Sequence, residues 1–171
     1  MKILRLSFLF LFLISIPLDL AAARPRAKPP KPKADRILIE KAARQMTLFQ
    51  GEETLKVYRI SLGREPVGPK REEGDGKTPE GRYKIDGRNP NSAFHLSLRI
   101  SYPNVADRAQ ANERGVKPGG QIMIHGLPNG MPDFGGGILS DWTDGCVAVS
   151  NAEIEEIWKL VPNGAAVEIL P

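Results

Sequence analysis

A second cysteine is missing from this 171-residue sequence, which excludes an intrachain disulfide framework. Two histidines beside the single cysteine also fall short of the usual ligand set of a structural zinc site. No strong charge of one sign is present. Lys and Arg number 24 against 20 Asp and Glu, so the net charge is +4 and gives little drive toward nucleic acid. Long helices are disfavoured too, because 17 glycines and 15 prolines interrupt the chain too often for a helix bundle. The conspicuous apolar run, Leu6 to Leu18, has 13 residues and is too short to span a bilayer comfortably.

That run has another reading. Lys2 and Arg5 precede it, and Ala21-Ala22-Ala23 follows as an A-x-A cleavage site, so residues 1–23 read as a secretory signal peptide. Cleavage after Ala23 removes Lys2, Arg5 and Asp19 and leaves a net charge of +3, with no stable membrane span. Residues 24–34 are rich in Pro and Lys and read as an extended, solvated linker. Residues 35–171 are long enough for one domain with its own core.

The first half of that domain reads as strands. Arg36–Glu40, Gln45–Gln50 and Thr54–Ser61 have β patterns, the last two joined by a Gly-bearing turn, with Leu55, Val57 and Arg59 expected on one face. Residues 63–78 are a polar loop and Arg82–Asp86 is a strand. Phe94 to Tyr102 alternates, with Phe94, Leu96, Leu98, Ile100 and Tyr102 on the core side and His95, Ser97, Arg99 and Ser101 opposite. A short helix is expected over Asn104–Arg114 and a buried strand over Gln121–His125. Ser150 with Glu153 forms a capping box, opening a helix over Asn151–Leu160 that buries Ile154, Ile157 and Trp158. Ala166–Leu170 is a closing strand. The fold class is therefore mainly β, a sandwich or barrel-like domain with one or two short helices.

The lone thiol of an exported chain is either paired with another molecule or free and reactive. Cys146 follows Asp144-Gly145, a turn whose backbone N–H groups can form an oxyanion hole, and precedes a small apolar stretch. The plain alternative is a small buried hydrophobe. A nucleophilic thiol needs a base, and imidazole is the usual one. His125 ends a hydrophobic strand and opens the loop Gly126 to Gly137, a candidate lid with five glycines.

His125-Gly126 followed by Thr143-Asp144-Gly145-Cys146-Val147 resembles the signature of the L,D-transpeptidase catalytic domain (YkuD-type) family. That signature is a His, a spacer of 14 to 17 residues, then Ser/Thr-His-Gly-Cys and a hydrophobic residue. Here 17 residues separate His125 from Thr143. Thr78-Pro79-Glu80-Gly81 resembles the family's Thr-Pro-x-Gly segment, and the hairpin bearing Leu48, Leu55 and Val57 resembles its opening strands. Two positions depart: Asp144 stands where the family has a His, and Ala148 where an Arg often stands. Asp141-Trp142-Thr143-Asp144-Gly145-Cys146, with Ile100-Ser101-Tyr102-Pro103-Asn104, is similar to the branch that includes murein-lipoprotein-detaching amidases.

The resemblance implies a reaction. Cys146 is the nucleophile toward the L-centre carbonyl of meso-diaminopimelate in a peptidoglycan stem peptide, and His125 is the proton donor and acceptor. Gly145 and Cys146 supply oxyanion-binding backbone N–H groups, while Thr143 and Asp144 support the pair. Gly126, Trp142, Arg99 and His95 are substrate-binding candidates. No metal or organic cofactor is required. The partners are stem peptides and a wall-attached lipoprotein, not nucleic acid. The location is a bacterial periplasm or cell envelope. Two other functions stand beside the transpeptidase: an L,D-specific amidase or carboxypeptidase that uses water, and a catalytically silent wall-binding module.

Overall fold

Ten elements follow one another along the chain of the computed structural model, which describes residues 33–132 and 140–171. They are β1 (Arg36–Glu40), β2 (Gln45–Gln50), β3 (Glu53–Arg59), β4 (Gly81–Ser92), β5 (His95–Ile100), α1 (Val105–Glu113), β6 (Met123–His125), β7 (Val147–Ala148), α2 (Asn151–Leu160) and β8 (Ala166–Leu170). The signal-peptide segment, the linker up to residue 32 and residues 133–137 of the candidate lid lie outside the described residues. Ala34, assigned to the linker from the sequence, is fully buried, and its N–H donates to Leu160 O at 2.9 Å. The folded part therefore reaches back to residue 34.

The strands form one mixed sheet in the order β3-β2-β1-β8-β4-β5-β6-β7. The mainly β, barrel-like expectation holds, realised as a single curled sheet with two helices. β8 lies parallel to β1 and antiparallel to β4, so the last strand of the chain fills the middle of the sheet. β4 belongs to both halves. Its first residues pair with β8 and the rest with β5, and bulges at Ile85/Gly87 and Asn89/Ser92 bend it between them. Those bulges, with Gly87 and Pro90, are why a strand of 12 residues reads in the sequence as one of five.

The two ends of the sheet then meet. Ser61, just beyond β3, exchanges both backbone hydrogen bonds with Ala148 of β7, each 2.9 Å. Leu62 O accepts from Thr143 N–H at 3.2 Å, and Arg64 N–H donates to Thr143 O at 3.0 Å. The sheet edge that β3 and β7 would otherwise leave open is partly closed at this end.

The concave side holds the core. Ile37, Ile39, Met46, Leu48, Leu98, Ile100, Ile124 and Val147 are fully buried, and α2 covers them with Ile154 and Ile157. Each such side chain contributes roughly 1.5–3 kcal/mol on burial. The capping box of α2 is formed as the sequence predicts, with Ser150 N–H donating to Glu153 Oε2 at 2.8 Å and Glu153 N–H to Ser150 Oγ at 3.3 Å. Val57 and Arg59 share one exposed face as expected, but Leu55 leaves it and packs against the core. Val57 is exposed and Tyr58 buried, because a register shift against Leu48/Phe49 leaves Leu55 as an extra residue and resets the alternation.

Candidate active site

Cys146 immediately precedes β7, and His125 closes β6. These short strands pair in parallel, with Ile124 opposite Val147 and His125 opposite Ala148, so the sheet itself brings the two candidate residues to one end, His125 on β6 and Cys146 just ahead of β7. Both side chains line one cavity of about 330 Å³. Thr143, Asp144 and Trp142 line it as well, so five of the residues singled out from the sequence converge on one space.

The turn carrying the thiol is held from within. Thr143 Oγ1 donates to Cys146 O at 2.7 Å and accepts from Gly145 N–H at 3.1 Å. Gly145 has φ 119°, and a Cβ there would lie 2.5 Å from Lys77 O, so both conformation and space demand glycine. This corrects one expectation: the Gly145 N–H is already used inside the turn and is not a free oxyanion donor. The turn is also pinned from outside. Asp141 receives Arg44 Nε and Nη2, at 2.9 and 2.7 Å, and accepts from Leu62 N–H at 2.8 Å. Behind it, loop 63–78 is fixed by buried Lys41, whose Nζ donates to Gly68 O, Thr78 O and Glu80 Oε1 at 2.6, 3.0 and 2.8 Å.

Cys146 Sγ accepts from Met123 N–H and donates to Gln121 O, each at 3.4 Å. Burial pushes the thiol pKa up, the Met123 N–H opposes this, and the Asp144 charge adds to the rise while Lys70 opposes it. Burial pushes His125 down, against the Gly126 carbonyl. The resting pair is therefore a neutral thiol and a neutral imidazole. His125 Nδ1 lies 2.7 Å from Gly126 O. A carbonyl only accepts, so Nδ1 carries the proton and Nε2 keeps its lone pair. Phe94 stacks on the imidazole at 4.6 Å between centroids, and Trp142 meets it edge-on at 5.7 Å, which fixes the ring in an apolar slot.

The remaining candidates lie around this centre. Asp144 is at the rim, its side chain 84% exposed and paired with Arg64 at 2.6 Å, a contact that solvent screens. Gly126 packs beneath His125, where a Cβ would come within 2.6 Å of Asn151 Oδ1. Arg99 sits in an adjoining cavity. His95 is outside the cavity around the thiol, with Nε2 2.9 Å from Glu155 Oε1 of α2. Phe94, Ser97, Gln121 and Met123 line the cavity and were missed as site residues. Ser97 had a signal, since it stands on the strand face opposite the core. Phe94 had none: the positive φ of 64° at His95 breaks the alternation and brings Phe94 to the cavity side.

Among the described residues no group of three His, Cys, Asp or Glu side chains is placed to hold a metal ion. No described helix is long and apolar enough to cross a membrane.

A family model for the L,D-transpeptidase catalytic domain matches residues 34–169. YafK of Escherichia coli K12, provisionally named an L,D-transpeptidase, is 33% identical over 131 residues, covering 73% of this chain and 46% of YafK. YkuD of Bacillus licheniformis, provisionally named in the same way, is 26% identical over 141 residues, 80% of this chain and 66% of YkuD. The helical cell shape determining protein Pgp2 from Campylobacter jejuni superposes with a TM-score of 0.62 at 24% identity, over 81% of this chain and 48% of Pgp2. Bd1075 of Bdellovibrio bacteriovorus gives 0.57 at 28%, over 81% of this chain and 48% of its own. The chain thus spans about half the length of YafK, Pgp2 and Bd1075. A family match that runs from Ala34 into β8 takes in the whole sheet and both helices, and the chain belongs to the L,D-transpeptidase catalytic domain family.

Proposed function

We propose that the protein is an exported cysteine L,D-transpeptidase that remodels peptidoglycan through a thioester on Cys146. The observation that carries this reading is the convergence of Cys146 Sγ and an imidazole with a pinned Nδ1–H on one apolar-walled cavity. Export rests on the signal-peptide reading of residues 1–23.

The steps follow from the protonation states. His125 Nε2 takes the Sγ proton as sulfur attacks the L-centre carbonyl of diaminopimelate, so the neutral pair becomes thiolate and imidazolium only as the C–S bond forms. With the Gly145 amide occupied, the Cys146 N–H is the turn's donor to the developing oxyanion. Collapse breaks the C–N bond, and His125 returns its proton to the departing D-alanine amine. An acceptor amine then attacks the thioester, loses a proton through His125, and the thiol is restored. Asp144, at the rim and paired with Arg64, is the candidate contact for an ammonium-bearing acceptor, on a second stem peptide or a lipoprotein.

Incubation of the purified chain with disaccharide-tetrapeptide tests the reaction. Cross-linked dimers with released D-alanine are expected. Hydrolysed stem alone would make the enzyme an amidase or carboxypeptidase, and unchanged substrate would overturn both enzymatic readings.

A further inference from the structure

The cavity at Cys146 does not end there. A second cavity of about 290 Å³ shares Asn89, Ser97, Gln121 and Met123 with it, and a third of about 370 Å³ shares Arg99 and Gln121 with the second. Adjoining through these shared residues, the three cavities follow one another as a trough along β4 and β5, the last of them reaching Arg108 of α1. Gln121 runs through all three, and its carbonyl is the one the thiol touches.

The chemistry of the walls changes along the trough. Phe94, Trp142 and Met123 surround the thiol end, whereas the far end presents Arg99, Arg108 and Asp86. Arg99 uses Nε on Asp86 Oδ1 at 2.7 Å. Among the described residues its two terminal amino groups, the whole Arg108 guanidinium and Asp86 Oδ2 make no hydrogen bond or ion pair. Two cations and one anion with open valences match an α-amino-acid head group. Its carboxylate meets the guanidinium groups and its ammonium meets the free carboxylate oxygen.

Resting on the proposed function, the substrate has such a group. Diaminopimelate carries an amino-acid centre at each end. When one carbonyl is at Cys146, the other end keeps a free carboxylate and a free amine. We propose that the Arg99–Arg108–Asp86 end of the trough is the subsite for that second centre, and that it makes the enzyme prefer diaminopimelate stems over stems carrying lysine. Lysine keeps the amine and lacks the carboxylate.

The test uses the full chain with Cys146→Ala, to stop turnover, titrated calorimetrically with three stem tetrapeptides. They contain diaminopimelate, diaminopimelate amidated at its far carboxyl, or lysine. The free diacid is expected to bind about tenfold tighter than the other two, since charge-assisted contacts at an exposed site sit at the low end of their range. High salt should shrink the preference. Adding Arg99→Gln and Arg108→Gln should abolish it, and the two Arg→Lys changes should restore part of it. Arg108→Gln alone, at an exposed position without a partner, keeps the test valid if the double change unfolds the chain, and should weaken the preference by itself. Equal binding of the three peptides, no binding of any, or a preference that survives in the Gln variants would overturn the assignment. Acylation of the wild type by a carbapenem separates the two layers. An adduct on Cys146 without a peptide preference removes only the trough subsite. Absence of the adduct removes the proposed function, and the titration still decides the trough.

Discussion

Replacing Gly145 by alanine puts a methyl group where the structure has no room for one. Its Cβ would lie 2.5 Å from Lys77 O and 3.2 Å from Ile122 Cδ1. An ordinary C···O approach is about 3.3 Å or more, so the turn or loop 63–78 must shift by nearly 1 Å. The φ of 119° adds conformational strain of about 1–3 kcal/mol for a residue with a Cβ. Overpacking adds roughly 1–3 kcal/mol. A total loss of about 2–6 kcal/mol corresponds to a melting point lower by about 5–20 °C in a domain of this size. The thiol moves with the turn, and a displacement near 1 Å costs on the order of a hundredfold in rate. Thermal melting and the rate of carbapenem acylation should both report this. Gly51→Ala is the control: its φ of 56° is also positive, but nothing lies within 4 Å of the added methyl, so it should cost about 1 kcal/mol and leave acylation intact. A Gly145→Ala variant that melts within about 2 °C of wild type and acylates at the wild-type rate would show that the turn has room for a methyl group after all.

Four further expectations concern the cysteine turn, the imidazole and the loop behind them. Thr143→Val keeps the side-chain shape and orphans both Cys146 O and Gly145 N–H, so denaturant unfolding should show a loss of about 2–4 kcal/mol, with Thr143→Ser close to wild type. Because burial holds His125 below its ordinary 6.5 and Cys146 above its ordinary 9.0, the acid limb of the pH–rate profile should fall below 6.5 and the alkaline limb above 9.0. The unfolded imidazole binds a proton more readily than the folded one, so stability should drop as pH falls below 6.5, and His125→Asn should remove that dependence from unfolding curves. Lys41→Met strands Glu80 beside two carbonyls, and equilibrium unfolding should show a loss of about 3 kcal/mol, recovered in large part by adding Glu80→Gln.

The sequence made some of this legible and hid the rest for physical reasons. β1, β2, β8 and α2 have the bounds expected from their patterns, because each is a regular run closed by a turn or cap. The cysteine turn and His125 stood out because so few chemically active residues were available. What stayed hidden lies where the backbone departs from a regular period. The bulge opposite Leu48 split Leu55, packed against the core, from exposed Val57 and Arg59, and two bulges disguised half of β4. A positive φ at His95 carried Phe94 to the imidazole. The closure from Ser61 to Ala148 joins residues 87 positions apart, and no local pattern announces it. The engagement of the Gly145 amide by Thr143 is a contact of the same hidden kind: the spacing was visible, but the direction of the N–H was not.

Intact-protein mass spectrometry of the full chain with a carbapenem addresses the central claim, that Cys146 is a nucleophile activated by His125. The strained lactam acylates a competent thiolate in one step, and the chain holds a single cysteine, so the site is unambiguous. One adduct is expected, mapped to the peptide containing Cys146, absent in Cys146→Ala and formed at least about a hundredfold more slowly in His125→Ala. A folded wild-type protein that forms no adduct, or one that acylates at the same rate without His125, would contradict it.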